Sequence, residues 1–90
     1  MKLNRKWWMY VVECSDGSLY TGITTDIDRR ILEHNYGSKG AKYTRSRRPV
    51  KLLIQIEKPD HSSALKSEYK LKQLSRKKKL EFIKNINHAK

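Results

Sequence analysis

Among the residues able to do chemistry, one carboxylate sits where a carboxylate is costly. On a helical wheel at about 100° per residue, Glu68 falls between Ala64, Leu65 and Leu71, inside the apolar arc of a helix. An ionised carboxylate buried without a partner costs several kcal/mol or takes up a proton, so Glu68 must face a cation, a metal or a wet cleft. The plainer alternative is a side chain at the edge of the arc that reaches solvent or pairs with Lys72 one turn on. In an earlier helix Ile27 and Ile31 define the apolar face, Arg30 and His34 flank it one turn apart, and Arg29 points the opposite way. Arg30 is therefore the inward-leaning arginine, serving a site or lying along the sheet with its head in water. His34 is an acid–base candidate or a helix-end histidine favoured by the negative end of the dipole.

Tyr10 and Tyr20 occupy the two arms of a hairpin, and turn length decides whether they share a face. A two-residue Asp16-Gly17 loop puts them on opposite faces. A three-residue loop, with Gly17 left-handed as in a G1 bulge, pairs Tyr10 with Gly22 and Val12 with Tyr20 and aligns both tyrosines. The missing side chain at Gly22 would then leave room for a ligand opposite Tyr10. Two ordinary sheet aromatics are the alternative.

These residues need elements to hold them. Trp7 to Cys14 (WWMYVVEC) and Ser18 to Ile23 read as strands joined by Ser15-Asp16-Gly17, from their aromatic and β-branched content. Thr24, Thr25 and Asp26 offer N-caps for a helix from Ile27 to Tyr36, which stops at Gly37. Residues 37–49 (GSKGAKYTRSRRP) describe an exposed basic loop. Val50, Leu52, Ile54 and Ile56 alternate with Lys51, Leu53, Gln55 and Glu57, giving a third strand with one core face. After Pro59 to Ser63 a second helix runs from Ala64 to about Leu74, and Leu80, Phe82, Ile83 and Ile86 predict a third after the basic run Arg76 to Lys79. The order β-β-α-β-α-α predicts an α+β fold, a three-stranded, mainly antiparallel sheet flanked by helices, forming one domain over residues 1–90.

The chain carries 21 Lys and Arg against 9 Asp and Glu, a net charge of +12. Residues 46–90 hold 13 of those basic and 4 of those acidic side chains. Such an excess favours a polyanionic partner, nucleic acid before others, because cations at phosphates release condensed counterions. A lone cysteine, Cys14, excludes an internal disulfide framework and a cysteine-based zinc cluster, and is expected to be a small packed residue. No run approaches the ~18 apolar residues of a membrane span, and no cleavable apolar leader opens the chain. A soluble, cytoplasmic protein without membrane contact is expected.

The order Trp8-Met9-Tyr10, then Tyr20-Thr21-Gly22 ten residues after the first tyrosine, then Arg30 and finally Glu68 resembles the GIY-YIG nuclease superfamily. The stretches LYTGITTD, RRILEHN, AKYTRSRRPVKLL and ALKSEYKLK, between Leu19 and Lys72, are similar to those of its small stand-alone members. Trp8 and Met9 replace the nominal Gly and Ile, and Thr21 replaces Ile, mostly at packing positions. The resemblance implies that Tyr10 and Tyr20 are the motif tyrosines, Arg30 the phosphate-stabilising arginine and Glu68 the ligand of a divalent metal.

The chemistry implied by that resemblance is phosphodiester hydrolysis, with His34 beside the catalytic group. A tyrosine with its ordinary pKa of about 10 is a poor base, so Arg30 and a metal would have to favour the phenolate of Tyr10 or Tyr20. One Mg²⁺ or Mn²⁺ on Glu68, its shell completed by water, suits so few carboxylates. Lys39, Lys42, Arg45, Arg47 and Arg48 would hold the backbone of nucleic acid, DNA in the first place, with Tyr43 stacking on an unpaired base. A monomeric endonuclease for DNA repair or processing, targeted by a protein partner, is the leading expectation. The alternative is a binding module that keeps the nuclease fold without cleaving.

Overall fold

The computed structural model describes residues 6–88, so the ends of the expected 1–90 domain lie outside the described residues. The strands are β1 (Trp7–Glu13), β2 (Leu19–Thr24) and β3 (Lys51–Lys58), and the helices α1 (Ile27–Tyr36), α2 (Lys42–Arg45), α3 (His61–Lys72) and α4 (Arg76–His88). The strands make one antiparallel sheet in the order β2-β1-β3, and the helices pack on it as the α+β reading requires. Helix bounds differ from expectation: α3 starts at His61 and stops at Lys72 instead of running from Ala64 to about Leu74. The basic loop contains α2, a single turn of helix, and α4 starts within the basic run at Arg76 rather than after it, with Ser75 Oγ accepting from the Lys78 amide at 3.3 Å.

The central strand explains its own sequence. β1 is covered on both faces, so Met9, Tyr10, Val11 and Val12 are each no more than 1% exposed and the strand reads as a continuous apolar run. Met9 and Val11 pack with Ile54, Leu71 and Ile83, whereas Tyr10 and Val12 pack with Cys14, Ile27 and Val50. At the hairpin the Cys14 amide donates to Ser18 O at 2.8 Å and Gly17, at φ 84°, donates to Cys14 O at 2.9 Å. That is the three-residue loop with a left-handed glycine, and Tyr10 accordingly stands opposite Gly22 and Val12 opposite Tyr20.

The single core face expected for β3 is corrected by a bulge. Val11 pairs with Ile54 but Val12 pairs with Leu52, so Leu53 is an extra residue. Side-chain parity flips there: Val50 and Leu52 join the Tyr10 cluster, while Ile54 and Ile56 join that of Met9.

Helix ends set the approach of the site residues. Asp26 Oδ1 accepts from the Arg29 amide at 3.1 Å, and Asp60 Oδ1 from the Ser63 amide at 2.8 Å, caps worth about 1 kcal/mol each. Gly37 does end α1, but at φ −92° rather than left-handed.

Candidate functional site

The three-residue turn places both motif tyrosines on one face of the sheet, with ring centroids 6.5 Å apart. α1 lays His34 against them, its ring 5.8 Å from Tyr10 and 5.3 Å from Tyr20. The Tyr10 hydroxyl bonds His34 Nε2 at 2.8 Å, His34 Nδ1 bonds Thr44 Oγ1 at 2.8 Å, and the Thr44 hydroxyl donates to Ala41 O at 3.0 Å. Tyr10 is 1% exposed, and His34 and Thr44 are fully buried. Gly22 does not leave room for a ligand, because the Tyr10 ring takes that space. A Cβ on Gly22 would lie 2.5 Å from the Tyr10 hydroxyl and 2.7 Å from its Cζ.

Charge around the tyrosines runs against one expectation. Burial pushes the Tyr10 phenol up to about 12; Arg30 beside it pulls down, and the Tyr20 and Glu68 charges add to the rise. Desolvation outweighs the arginine, so Tyr10 keeps its proton at neutral pH instead of resting as phenolate. Burial also pulls His34 down to about 4, with Arg30 and Arg48 acting the same way and Glu33 opposing. The imidazole is neutral, with one bare ring nitrogen able to accept a hydrogen bond. Arg30 is the inward arginine, its side chain 21% exposed, held by Glu33 Oε1 at 3.0 Å and donating to Lys39 O at 2.8 Å.

Glu68 makes the pair with Lys72 that its spacing allows, from a largely buried position. Its side chain is only 17% exposed and its charge reaches Tyr10, and its Oε2 lies 3.3 Å from Lys72 Nζ. Among the described residues no three His, Cys, Asp or Glu side chains gather as a metal cluster.

The basic segment divides by direction. Lys39, Lys42 and Arg45 are exposed, and Tyr43, 39% exposed, stacks on Tyr20 with centroids 6.0 Å apart. Arg47 lies 4.0 Å over the Tyr43 ring and pairs with Asp16 at 3.0 Å, tying the segment to the hairpin turn. Arg48 turns inward and donates to the carbonyls of His34 and Gly37, so its charge closes the end of α1. Thr44 and Lys79 escape spacing arguments, whereas Lys72, found by spacing as the partner of Glu68, gains a second place at the groove. Thr44 lies in a stretch whose composition describes a loop. Lys72 and Lys79 line a groove of about 310 Å³ with Leu19, Tyr20, Thr21 and Tyr43, along the outer strand β2. Placing Lys79 requires knowing that α4 begins at Arg76.

A small antiparallel sheet thus carries paired tyrosines beside a helical arginine and histidine, with a glutamate from a later helix, the order that the resemblance to the GIY-YIG superfamily implies. The GIY-YIG catalytic domain matches residues 6–81, and the chain belongs to the GIY-YIG family. It is 56% identical over 78 residues to a UPF0213 protein of Desulfotalea psychrophila, covering 87% of this chain and 71% of that one. A UPF0213 protein of Cupriavidus pinatubonensis is 50% identical over 86 residues, 96% of this chain and 94% of the relative. The solution NMR structure of a UPF0213 protein from Bacillus halodurans matches with TM-score 0.58 at 47% identity, over 88% of this chain and 83% of that one. A protein from E. faecalis, also solved by NMR, matches with TM-score 0.65 at 37% identity, over 97% of this chain and 92% of its own. The motif departures are packing positions here: Met9 and Thr21 are 1% and 4% exposed.

Proposed function

We propose that this protein is a divalent-metal-dependent endonuclease that hydrolyses phosphodiester bonds of DNA, acting as a single-domain monomer with a partner for targeting. The observation that carries this reading is the contact of Tyr10, Tyr20 and His34 within reach of the Arg30 and Glu68 charges. Tyr20 is the half-buried tyrosine at the groove and the one a bound strand can meet. Tyr10 stands behind it with its hydroxyl on His34 Nε2. The general-base step that hydrolysis requires falls to Tyr20 at the groove, with Arg30, whose charge reaches both tyrosines, favouring its phenolate. Arg30 favours the negative charge that develops. Lys39, Lys42 and Arg45 hold the phosphate backbone on one side of Tyr20, and Lys72 and Lys79 on the other.

The donor set fits one hard cation. Glu68 would hold Mg²⁺ or Mn²⁺ through a single carboxylate, with water and phosphate oxygens as the other ligands. Such an ion supplies charge neutralisation at the phosphate and lowers the pKa of bound water. Lys72 has to release Glu68 for this, an exchange that costs little for a pair on a half-exposed helix face.

Pure protein incubated with labelled duplex, single-stranded and branched DNA, with and without Mg²⁺ or Mn²⁺, tests the proposal. Scission that requires the cation is expected. Binding to all three without scission under any condition would replace it with the non-catalytic module.

A further inference from the structure

We propose that Thr44 is a positioning residue that locks His34 as the Nδ1–H tautomer, leaving Nε2 bare to accept the hydrogen bond that orients the Tyr10 phenol behind Tyr20. The proposal rests on the nuclease reading only for its effect on rate. Hydrogens are placed by following the bonded chain. A carbonyl only accepts, so the Thr44 proton is spent on Ala41 O at 3.0 Å and Oγ1 turns a lone pair toward His34 Nδ1 at 2.8 Å. Nδ1 therefore carries the hydrogen of the neutral ring, Nε2 has none, and the bond to Tyr10 at 2.8 Å is donated by the phenol.

Running the chain the other way fails at its far end. If Thr44 donated to Nδ1, Nε2–H would point at the Tyr10 oxygen and the phenol proton would need another acceptor. Among the described residues His34 is the bonded side chain able to accept from that hydroxyl, because Arg30, which reaches the same oxygen, has only donors. One direction places every proton in this buried chain; the reverse leaves a buried O–H without a partner.

Thr44 belongs to α2, the turn that also exposes Lys42, Tyr43 and Arg45. The turn that meets the nucleic-acid backbone is thus the turn that orients His34. Sequence spacing pairs Tyr10 with His34 only through the fold, and gives no sign of Thr44 at all.

NMR of the protein with ¹⁵N-labelled histidine reads the tautomer at neutral pH, with or without activity. Wild type is expected to show His34 as Nδ1–H. Thr44→Val, which keeps the shape and removes the hydroxyl, should shift the ring to Nε2–H or a mixture, and Thr44→Ser should restore it. In cleavage assays Thr44→Val should lower kcat, by less than the roughly 100-fold of a lost general base, while KM for DNA changes by less than about threefold. Should Thr44→Val fail to fold, Tyr10→Phe decides: His34 must remain Nδ1–H without the phenol if Thr44 is the lock. A wild-type His34 in the Nε2–H form, or an unchanged tautomer in Thr44→Val, overturns the proposal. A wild type that shows the expected tautomer yet cleaves nothing overturns the nuclease reading and leaves the Thr44 lock standing.

Discussion

Gly22 is present because Tyr10 is. The phenol ring lies flat against the bare backbone opposite it, so Gly22→Ala sets a methyl group 2.5 Å from the Tyr10 hydroxyl and the ring must swing away from His34. Overpacking of this kind costs about 1–3 kcal/mol, and thermal denaturation should show a melting temperature lower by several degrees. His34 gives the pH dependence. Its folded pKa of about 4 lies below the ordinary 6.5, so between those values the unfolded chain binds more protons. Stability present above pH 6.5 should therefore fall as pH drops toward 4, by up to roughly 3 kcal/mol. Asp16 and Asp60, whose carboxyls are held below their usual range by Ser18 and by the Ser63 amide, lose their contributions at still lower pH. Urea denaturation across this window should show the slope in wild type and a flatter line in His34→Gln. The sequence is most legible at this scale where spacing meets chemistry: turn length aligns Tyr10 with Tyr20, and wheel position singles out Arg30 and Glu68. It is silent on how far burial outweighs Arg30 at Tyr10, because that balance depends on how tightly the ring is enclosed.

Elements hold the site by spending charges that look free in the sequence. Arg48 and Lys42 belong to the same basic run, yet one closes α1 through backbone carbonyls and the other faces solvent. Arg48→Ala should lower stability by about 1–3 kcal/mol, the worth of a charged hydrogen bond in a partly buried place, and leave the salt dependence of DNA binding unchanged. Lys42→Ala should leave the melting temperature alone and make the log–log salt slope shallower by up to about one unit. Equal slope changes in the two variants would put Arg48 back on the binding surface. Most elements are readable, including α1 with its aspartate cap, because periodicity and capping are local properties. The bulge at Leu53 and the α2 turn are not. The apolar alternation runs through the bulge unbroken, and α2 is too short to show a period and is held by Thr44 and the hairpin turn rather than by its own propensity.

At the scale of the molecule, a small basic domain of net charge +12 sets Lys72 and Lys79 beside Tyr20 in one groove, and the proposed chemistry is placed at the tyrosines with Glu68 as the metal ligand. Like charge around Glu68 favours an anionic strand and disfavours a metal until the strand's phosphates are present, so cation and DNA should bind together more tightly than either alone. That coupling is a measurable expectation: Mg²⁺ titrations with an uncleavable phosphorothioate strand should show higher apparent affinity than titrations of protein by itself. The central claim is that Glu68 is held in the apolar arc for metal chemistry and not for the fold. Its pair with Lys72 is an i,i+4 contact worth about 0.3–0.5 kcal/mol, so removing the charge should hardly disturb stability. The direct measurement is Glu68→Gln assayed for Mg²⁺-dependent cleavage beside its thermal denaturation. Abolished cleavage with a melting temperature within a degree or two of wild type is the predicted result; undiminished cleavage in a destabilised variant would contradict it.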